Sequence, residues 1–326
     1  MVDFAVHTRL WRNGVLEKED FPFEAISDYL SQDDCLVWAD LTAPDPRHLA
    51  ALGEELSLEQ LAIEDAIAHH ERPKASRYAS HTFLSAYALS FQADSGELAA
   101  SQVSAFVLQN ALVTVHQAEW TDLPELKRRW DENDDLCRFG VRALVYGMLD
   151  VLVDGHFDVV QGLDDAIEEL EDVLFDESGH SHLVQRRTFA IRKSLVQARR
   201  AILPMREVVN TLTRRDSALP EPLRPYFEDL YDHVLRAAEW TESLRDMISS
   251  VFETNLSLQD ARLNTIMKKL TAYAAIIAVP TAVTGFYGQN VPYPGFAQHW
   301  GFLTSAGVMV GLVAALYVMF RRKDWL

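Results

Sequence analysis

LTAYAAIIAVPTAVTGF, Leu270 to Phe286, runs for 17 residues without a charge, and FLTSAGVMVGLVAALYVMF, Phe302 to Phe320, runs for 19. At a rise of about 1.5 Å per residue, each stretch reaches roughly across a ~30 Å hydrocarbon layer. A pair of buried core helices is the alternative. Two such runs close together, with few polar breaks, favour a membrane hairpin. Lys268 and Lys269 precede the first run, Arg321, Arg322 and Lys323 follow the second, and the loop between them, Gly288 to Gly301, has no Lys or Arg. Basic residues stay in the cytoplasm, so both ends of the hairpin are expected inside and the loop outside.

Working outward, the whole chain of 326 residues carries a net charge of −18 and a pI near 5.0. That balance argues against nucleic acid as a partner. Cys35 and Cys137 stand alone without a CxxC spacing, which fits a reducing compartment. MVDFAVHTRLW has no basic start followed by an apolar core, so no signal peptide is expected. The mean hydropathy, −0.07, conceals a division: roughly the first 265 residues read as soluble, and those that follow do not.

Two helices cannot enclose a pore, so the hairpin is either an anchor or one part of an assembly around an axis. The first run carries a stripe of small or hydroxylated residues at steps of three or four: Thr271, Ala274, Ala275, Ala278, Thr281 and Gly285. Such a stripe suits close helix packing in lipid or the lining of a pore. Asn264 and Met267 extend it below the membrane, which favours a lining.

From Tyr226 to Val279 there is neither glycine nor proline, predicting one helix on the order of 80 Å long. Leu230, Ala237, Leu244, Val251 and Leu258 recur every seven residues, interleaved with Val234, Thr241, Ile248, Asn255 and Arg262. This mixed seam predicts helix-to-helix association, with burial against its own domain as the alternative. Upstream, an acidic segment (Leu163 to Ser178) and a basic one (Arg186 to Asp216) flank SGHSH, and are expected to fold back with opposite charges facing. Before Gln117 strands and helices alternate. Phe83 to Phe91, Val103 to Leu108 and Leu112 to Val115 read as strands with a QNA turn, and Asp45 to Leu56 and Leu58 to Ala68 as helices. The expected layout is an α+β cytosolic domain (1–150), a charged helical hairpin (151–220), a stalk helix (221–268), a first membrane helix (269–287), an outer loop (288–301), a second membrane helix (302–320) and a basic tail (321–326).

Familiar catalytic signatures are missing. There is no GxxxxGK[ST] loop to power transport with a nucleotide, no HExxH or Cys/His zinc spacing, and no nucleophile elbow. His69, His70 and Glu71 are adjacent, but neighbours on a helix point different ways, so no metal site is expected there. A catalytic role has little support.

Several separated segments together resemble the CorA family of divalent-cation channels. IEDAIAHHERPK (Ile63 to Lys74) resembles a segment of its cytosolic domain, YFEDLYDHVLRAAEWTESLRD (Tyr226 to Asp246) its upper stalk, MKKLTAYAAIIAVPTAVTGFYGQN its pore helix and loop, and FRRKDWL its basic C-terminus. The resemblance implies a funnel-shaped homopentamer in the lipid bilayer of the inner or plasma membrane, with two spans per chain and both termini cytosolic. The family's Gly-Met-Asn loop falls on Gly288, Gln289 and Asn290, and its pore-lining positions on Asn264, Met267, Leu270, Thr271, Ala278 and Thr281. Its regulatory carboxylates fall on Glu64, Asp65 and Asp229, where intracellular Mg2+ is implied to hold the channel closed. Mg2+ keeps its water reluctantly shed, and a ring of amide oxygens suits a hydrated ion that must be released again. Two departures bear on the ion. Gln289 replaces methionine, and the outer loop VPYPGFAQHWGF lacks an acid. Variation there is a feature of the zinc-transporting ZntB branch, and His299 favours softer ions. Potential-driven uptake of Mg2+, with Co2+ or Ni2+, is therefore the leading expectation. A ZntB-like, proton-coupled zinc carrier is the second, and a membrane-anchored cation sensor without conduction the third.

Overall fold

The computed structural model describes residues 4–32, 34–68, 71–117, 120–133, 136, 138–174, 181–214, 219–289 and 292–326. Asn290, His69, His70, Cys137 and the turn at Gly179 lie outside them. The chain divides into two compact units, Met1–Val251 and Phe252–Leu326.

The first unit is built on a seven-stranded sheet in the order β2-β1-β3-β7-β6-β5-β4. In chain order the strands are β1 (Ala5–Arg12), β2 (Val15–Glu19), β3 (Cys35–Thr42), β4 (Lys74–Arg77), β5 (Thr82–Gln92), β6 (Glu97–Val107) and β7 (Ala111–His116). Only β3 and β7 pair in parallel; the other neighbours are antiparallel. Asn13 (φ 51°) and Gly14 (φ 83°) turn β1 into β2. Both are left-handed, the geometry of a two-residue hairpin that matches strand twist. The stretches read as strands become β5, β6 and β7, with the last two joined through Gln109 and Asn110. β3 (CLVWADLT) went unread because it is buried along nearly its whole length and shows no alternation.

Side chains of period two feed two cores. On β3, Leu36 and Trp38 point to one face, and Cys35, Val37, Ala39 and Leu41 to the other. The second face is covered by α1 (Ile26–Leu30), α2 (Pro46–Glu55) and α3 (Gln60–Ile67). Asp45 caps α2, accepting from the amides of Arg47 at 2.8 Å and His48 at 2.9 Å, with Pro46 pre-set in the first turn. The first face takes α4 (Leu123–Glu132), α5 (Val141–Leu174), α6 (Ser181–Ile202), α7 (Met205–Thr213) and the start of α8 (Arg224–Tyr287). Trp130 of α4 wedges edge-on between Trp11 (6.0 Å) and Trp38 (4.9 Å). Between the parallel strands the fully buried Asp40 accepts from Thr114 and meets His116 Nε2 at 3.0 Å, partners a buried carboxylate requires.

Two expectations change. The acidic and basic segments do not meet charge to charge. Leu163, Ile167 and Leu170 of α5 and Ile191, Leu195 and Ala198 of α6 are buried, while among the described residues the two helices share one ion pair, Arg187 to Glu169 at 2.6 Å. Burying apolar surface outweighs pairing charges that water solvates well. The seven-residue seam of α8 is likewise buried inside the first unit: Leu230, Val234, Ala237, Thr241, Leu244, Ile248 and Val251 are each at most 2% exposed. Leu230 and Val234 join the core of α5, and Phe157 of α5 meets His233 edge-on at 5.8 Å. The alternative of burial against its own domain therefore holds for this stretch. Beyond it the pattern opens, with Leu258 half-buried and Arg262 exposed.

The helix α8 spans 64 residues. It takes Pro225 in its first turn, where the missing N–H has no partner to lose, and continues through Pro280. In the second unit it is followed by α9 (His299–Arg322). Both helices are long and apolar enough to cross a membrane. Ile277, Phe302, Leu303 and Val310 are large, apolar and mostly exposed on the single chain. Only lipid or other protein can cover them favourably.

Candidate ion pathway and regulatory carboxylates

The two membrane helices meet through one face of α8. Ile276 and Pro280 face Met309, Val310, Val313, Ala314 and Tyr317 of α9 across an apolar cleft of about 390 Å³. With ~100° between successive helical residues, Thr271, Ala274, Ala278, Thr281 and Gly285 lie on roughly the opposite side. Apart from the half-buried Ala275, the whole stripe is exposed, as are Asn264, Met267 and Leu270. The small, hydroxylated face is thus turned away from α9. Thr271 donates its hydroxyl proton to the Met267 carbonyl (2.8 Å) and Thr281 to that of Ile277 (3.1 Å). Each hydroxyl oxygen then has only lone pairs to offer outward, which suits the water protons of a hydrated cation.

At the outer end the helix is closed by its own loop. The Gly288 amide donates to Thr284 O at 2.8 Å and that of Gln289 to Phe286 O at 3.3 Å. A Cβ on Gly288 would lie 2.8 Å from the Thr284 carbonyl oxygen. No side chain fits there unless the backbone shifts, which explains the glycine on steric grounds. Tyr293 donates its hydroxyl to Tyr287 O (3.2 Å), satisfying a terminal carbonyl, and its ring sits between Tyr287 (4.9 Å) and Phe296 (5.3 Å). Gln289 is exposed beside this aromatic group. Asn290 is outside the described residues.

The three expected regulatory carboxylates are in the first unit. Glu64, on α3, is exposed and accepts from Gln60 Nε2 at 3.0 Å. Asp65, next on the same helix, is half-buried and pairs with Lys74 Nζ at 2.8 Å. Lys74 also reaches Glu71 at 2.7 Å. Partial burial pulls the Lys74 ammonium pKa down, but hydrogen bonds to Asp65 and Glu71 outweigh it, and the net shift is upward. Asp229, on α8, is largely exposed, 3.3 Å from His233 Nδ1. Among the described residues no three His, Cys, Asp or Glu side chains are grouped to hold a metal ion within one chain. Lys74, quoted in the segment Ile63 to Lys74, was not singled out from sequence because its bridge depends on the tertiary approach of α3 to β4. The His233 contact was available, since Asp229 and His233 are four apart on one helix.

An α+β unit joined in sequence to a pair of apolar helices, one with a free small-residue face, defines a two-span membrane protein of the transporter class. The chain belongs to the CorA-like Mg2+ transporter protein family, whose family model matches residues 33–322. The cobalt/magnesium transport protein CorA of Thermotoga maritima is 31% identical over 279 residues, covering 84% of this chain and 79% of its own. The complete structure of the CorA magnesium transporter from Methanocaldococcus jannaschii matches with a TM-score of 0.82 at 24% identity, covering 100% of both chains. The ZntB cytoplasmic domain from Vibrio parahaemolyticus is more distant, with a TM-score of 0.53 and 13% identity over 69% of this chain.

Proposed function

We propose that this chain assembles as a homopentamer around an axis lined by α8 and admits Mg2+, with Co2+ or Ni2+ as secondary ions, down the membrane potential. The observation that carries this reading is the exposed stripe of Thr271, Ala278 and Thr281, turned away from α9 and offering acceptor oxygens. A lone two-span chain has no use for it; copies sharing an axis do. Residues 1–268 then stand in the cytoplasm, 288–301 outside and 321–326 inside again. A divalent ion moving inward through 100 mV gains about 4.6 kcal/mol, twice the ~2.3 kcal/mol per unit charge. No nucleotide fuel and no catalytic chemistry are required.

Closure belongs to Glu64, Asp65 and Asp229. Carboxylates brought together from adjoining subunits repel one another, and a divalent cation bridging them favours the closed arrangement when internal Mg2+ is high. A ZntB-like zinc carrier is the second reading, favoured by Gln289 and the acid-free outer loop. Flux into liposomes separates the two, with Mg2+, Co2+, Ni2+ and Zn2+ compared under a negative-inside potential, with and without a pH gradient. Potential-driven Mg2+ entry that ignores the pH gradient is expected. Zinc flux that needs the gradient and excludes Mg2+ would establish the second reading, and no flux of any divalent ion would leave only a membrane-anchored sensor.

A further inference from the structure

A concave groove of about 900 Å³ lies on the first unit, between the C-terminal end of α6 and the segment Glu71 to Pro73 with strands β5 and β6. Its volume falls in the range of small-molecule sites. Arg72 lines one wall, and Arg199 and Arg200 the other. Arg199 gives its Nε to Glu242. Arg72 and Arg200 are exposed, and among the described residues neither has an ion-pair or hydrogen-bond partner. In a chain whose acids outnumber its bases 48 to 30, a groove lined by three arginines and one acid is out of character. The one acid lining it, Glu71, is already held by Lys74 at 2.7 Å.

Apart from Gln197, the remaining walls are apolar or aromatic. Pro73 and the ring of Tyr87 form one side, and Val196, Leu203 and Pro204 the other. Tyr87 donates its hydroxyl to Glu71 O at 2.7 Å, which fixes the ring in place. Guanidinium forks match phosphate oxygens in pairs, and flat or apolar walls suit an organic body rather than a bare ion.

We propose that this groove is a binding site for an organic polyphosphate anion of the nucleoside di- or triphosphate class, held by Arg72 and Arg200 with its base or other flat body against the ring of Tyr87. The anion also relieves the mutual repulsion of the arginines facing one another across the groove. Its lining includes no residue of the proposed conduction path and none of Glu64, Asp65 and Asp229, although Glu71 shares Lys74 with Asp65. It holds a ligand, not a fuel.

The test uses full-length protein in nanodiscs of uncharged lipid, in buffer with EDTA, titrated with a ribose-labelled fluorescent ATP and displaced by ATP or by pyrophosphate. Saturable binding is expected, with ATP displacing the probe about tenfold better than pyrophosphate. Arg72→Gln/Arg200→Gln should weaken binding by at least about tenfold, the loss of one or two charge-assisted hydrogen bonds. Arg192→Gln, an exposed arginine of α6 outside the groove, should bind as the parent does, and thermal unfolding of every variant should be unchanged. Absence of saturable binding, as when a neighbouring copy covers the groove, overturns the proposal. So does a double variant that binds normally, or pyrophosphate competing as well as ATP. Binding is read without flux and without Mg2+, so this result and that of the transport assay stand independently.

Discussion

Lys74 holds two carboxylates at once, Asp65 at 2.8 Å and Glu71 at 2.7 Å, and so occupies from within the chain a position that the proposed regulation assigns to a cation from solution. Any divalent ion reaching Asp65 competes with this tethered ammonium. Lys74→Gln removes the competitor, and inhibition by internal Mg2+ should then set in at concentrations roughly fivefold lower, the effect of about 1 kcal/mol of screened attraction. Patch recordings across a series of internal Mg2+ concentrations measure it, and an unshifted midpoint would remove Asp65 from the regulatory set. His156 makes a different kind of prediction. Burial lowers its pKa to about 4, against a smaller opposing contribution from the hydrogen bond with Tyr87 O at 2.8 Å. Between about pH 6.5 and 4 the unfolded chain binds a proton there that the folded chain does not, so stability falls as pH falls through that window. The full contribution is roughly 3 kcal/mol and is present above pH 6.5. His156→Gln should flatten this part of the pH dependence of thermal unfolding. Equal slopes for the two would mean that His156 does not titrate as its burial implies.

At the scale of elements, α8 shows what sequence patterning decides and what it leaves open. The run without glycine or proline from Tyr226 predicted one long helix, and the structure has it from Arg224 to Tyr287. The heptad told which residues would be buried without telling by what, because an a/d stripe fits a partner helix and a domain core equally well. The neighbours lie in the same chain: Leu230 and Val234 join the core of α5, and Glu242 pairs with Arg199 of α6. Ile248→Ala should therefore lower the stability of the first unit by about 2–5 kcal/mol, the cost of a buried aliphatic cavity. The oligomer mass in detergent should stay as in the parent. A variant that lost mass without losing stability would restore the seam to an intermolecular role. Strand legibility follows the same logic. β6 and β7 were read because their turn has recognisable chemistry, whereas β3 is buried nearly throughout and offered no alternation. Of the candidate site, the stripe on α8 was legible as a helical period, and its exposure away from α9 was not, since that depends on which face α9 takes. Glu64, Asp65 and Asp229 came from the resemblance alone. Exposed carboxylates on acidic helices carry no local signal that sets them apart.

For the whole molecule, the apolar area left bare on the second unit sets the requirement. Ile277, Phe302, Leu303 and Val310 need lipid, while the polar side of α8 needs something else. The proposed pentamer would satisfy both, with Thr271 and Thr281 at its centre. Native mass spectrometry from gentle detergent should give five times 36.9 kDa, about 185 kDa before bound lipid; a monomer or dimer as the largest species would withdraw the pore. Crowding several copies together exposes their sheets to one another, and here the outermost strand matters. β2 reads VLEKE, sits at the sheet edge, and leaves all but one of its five residues exposed. Glu17, Lys18 and Glu19 place charges along the row of unpaired backbone groups that another strand would have to approach. Such an edge resists intermolecular zippering. The feature that looks least engaged in transport is thus what lets these units be packed side by side, and concentrated during expression, without growing into a continuous cross-chain sheet.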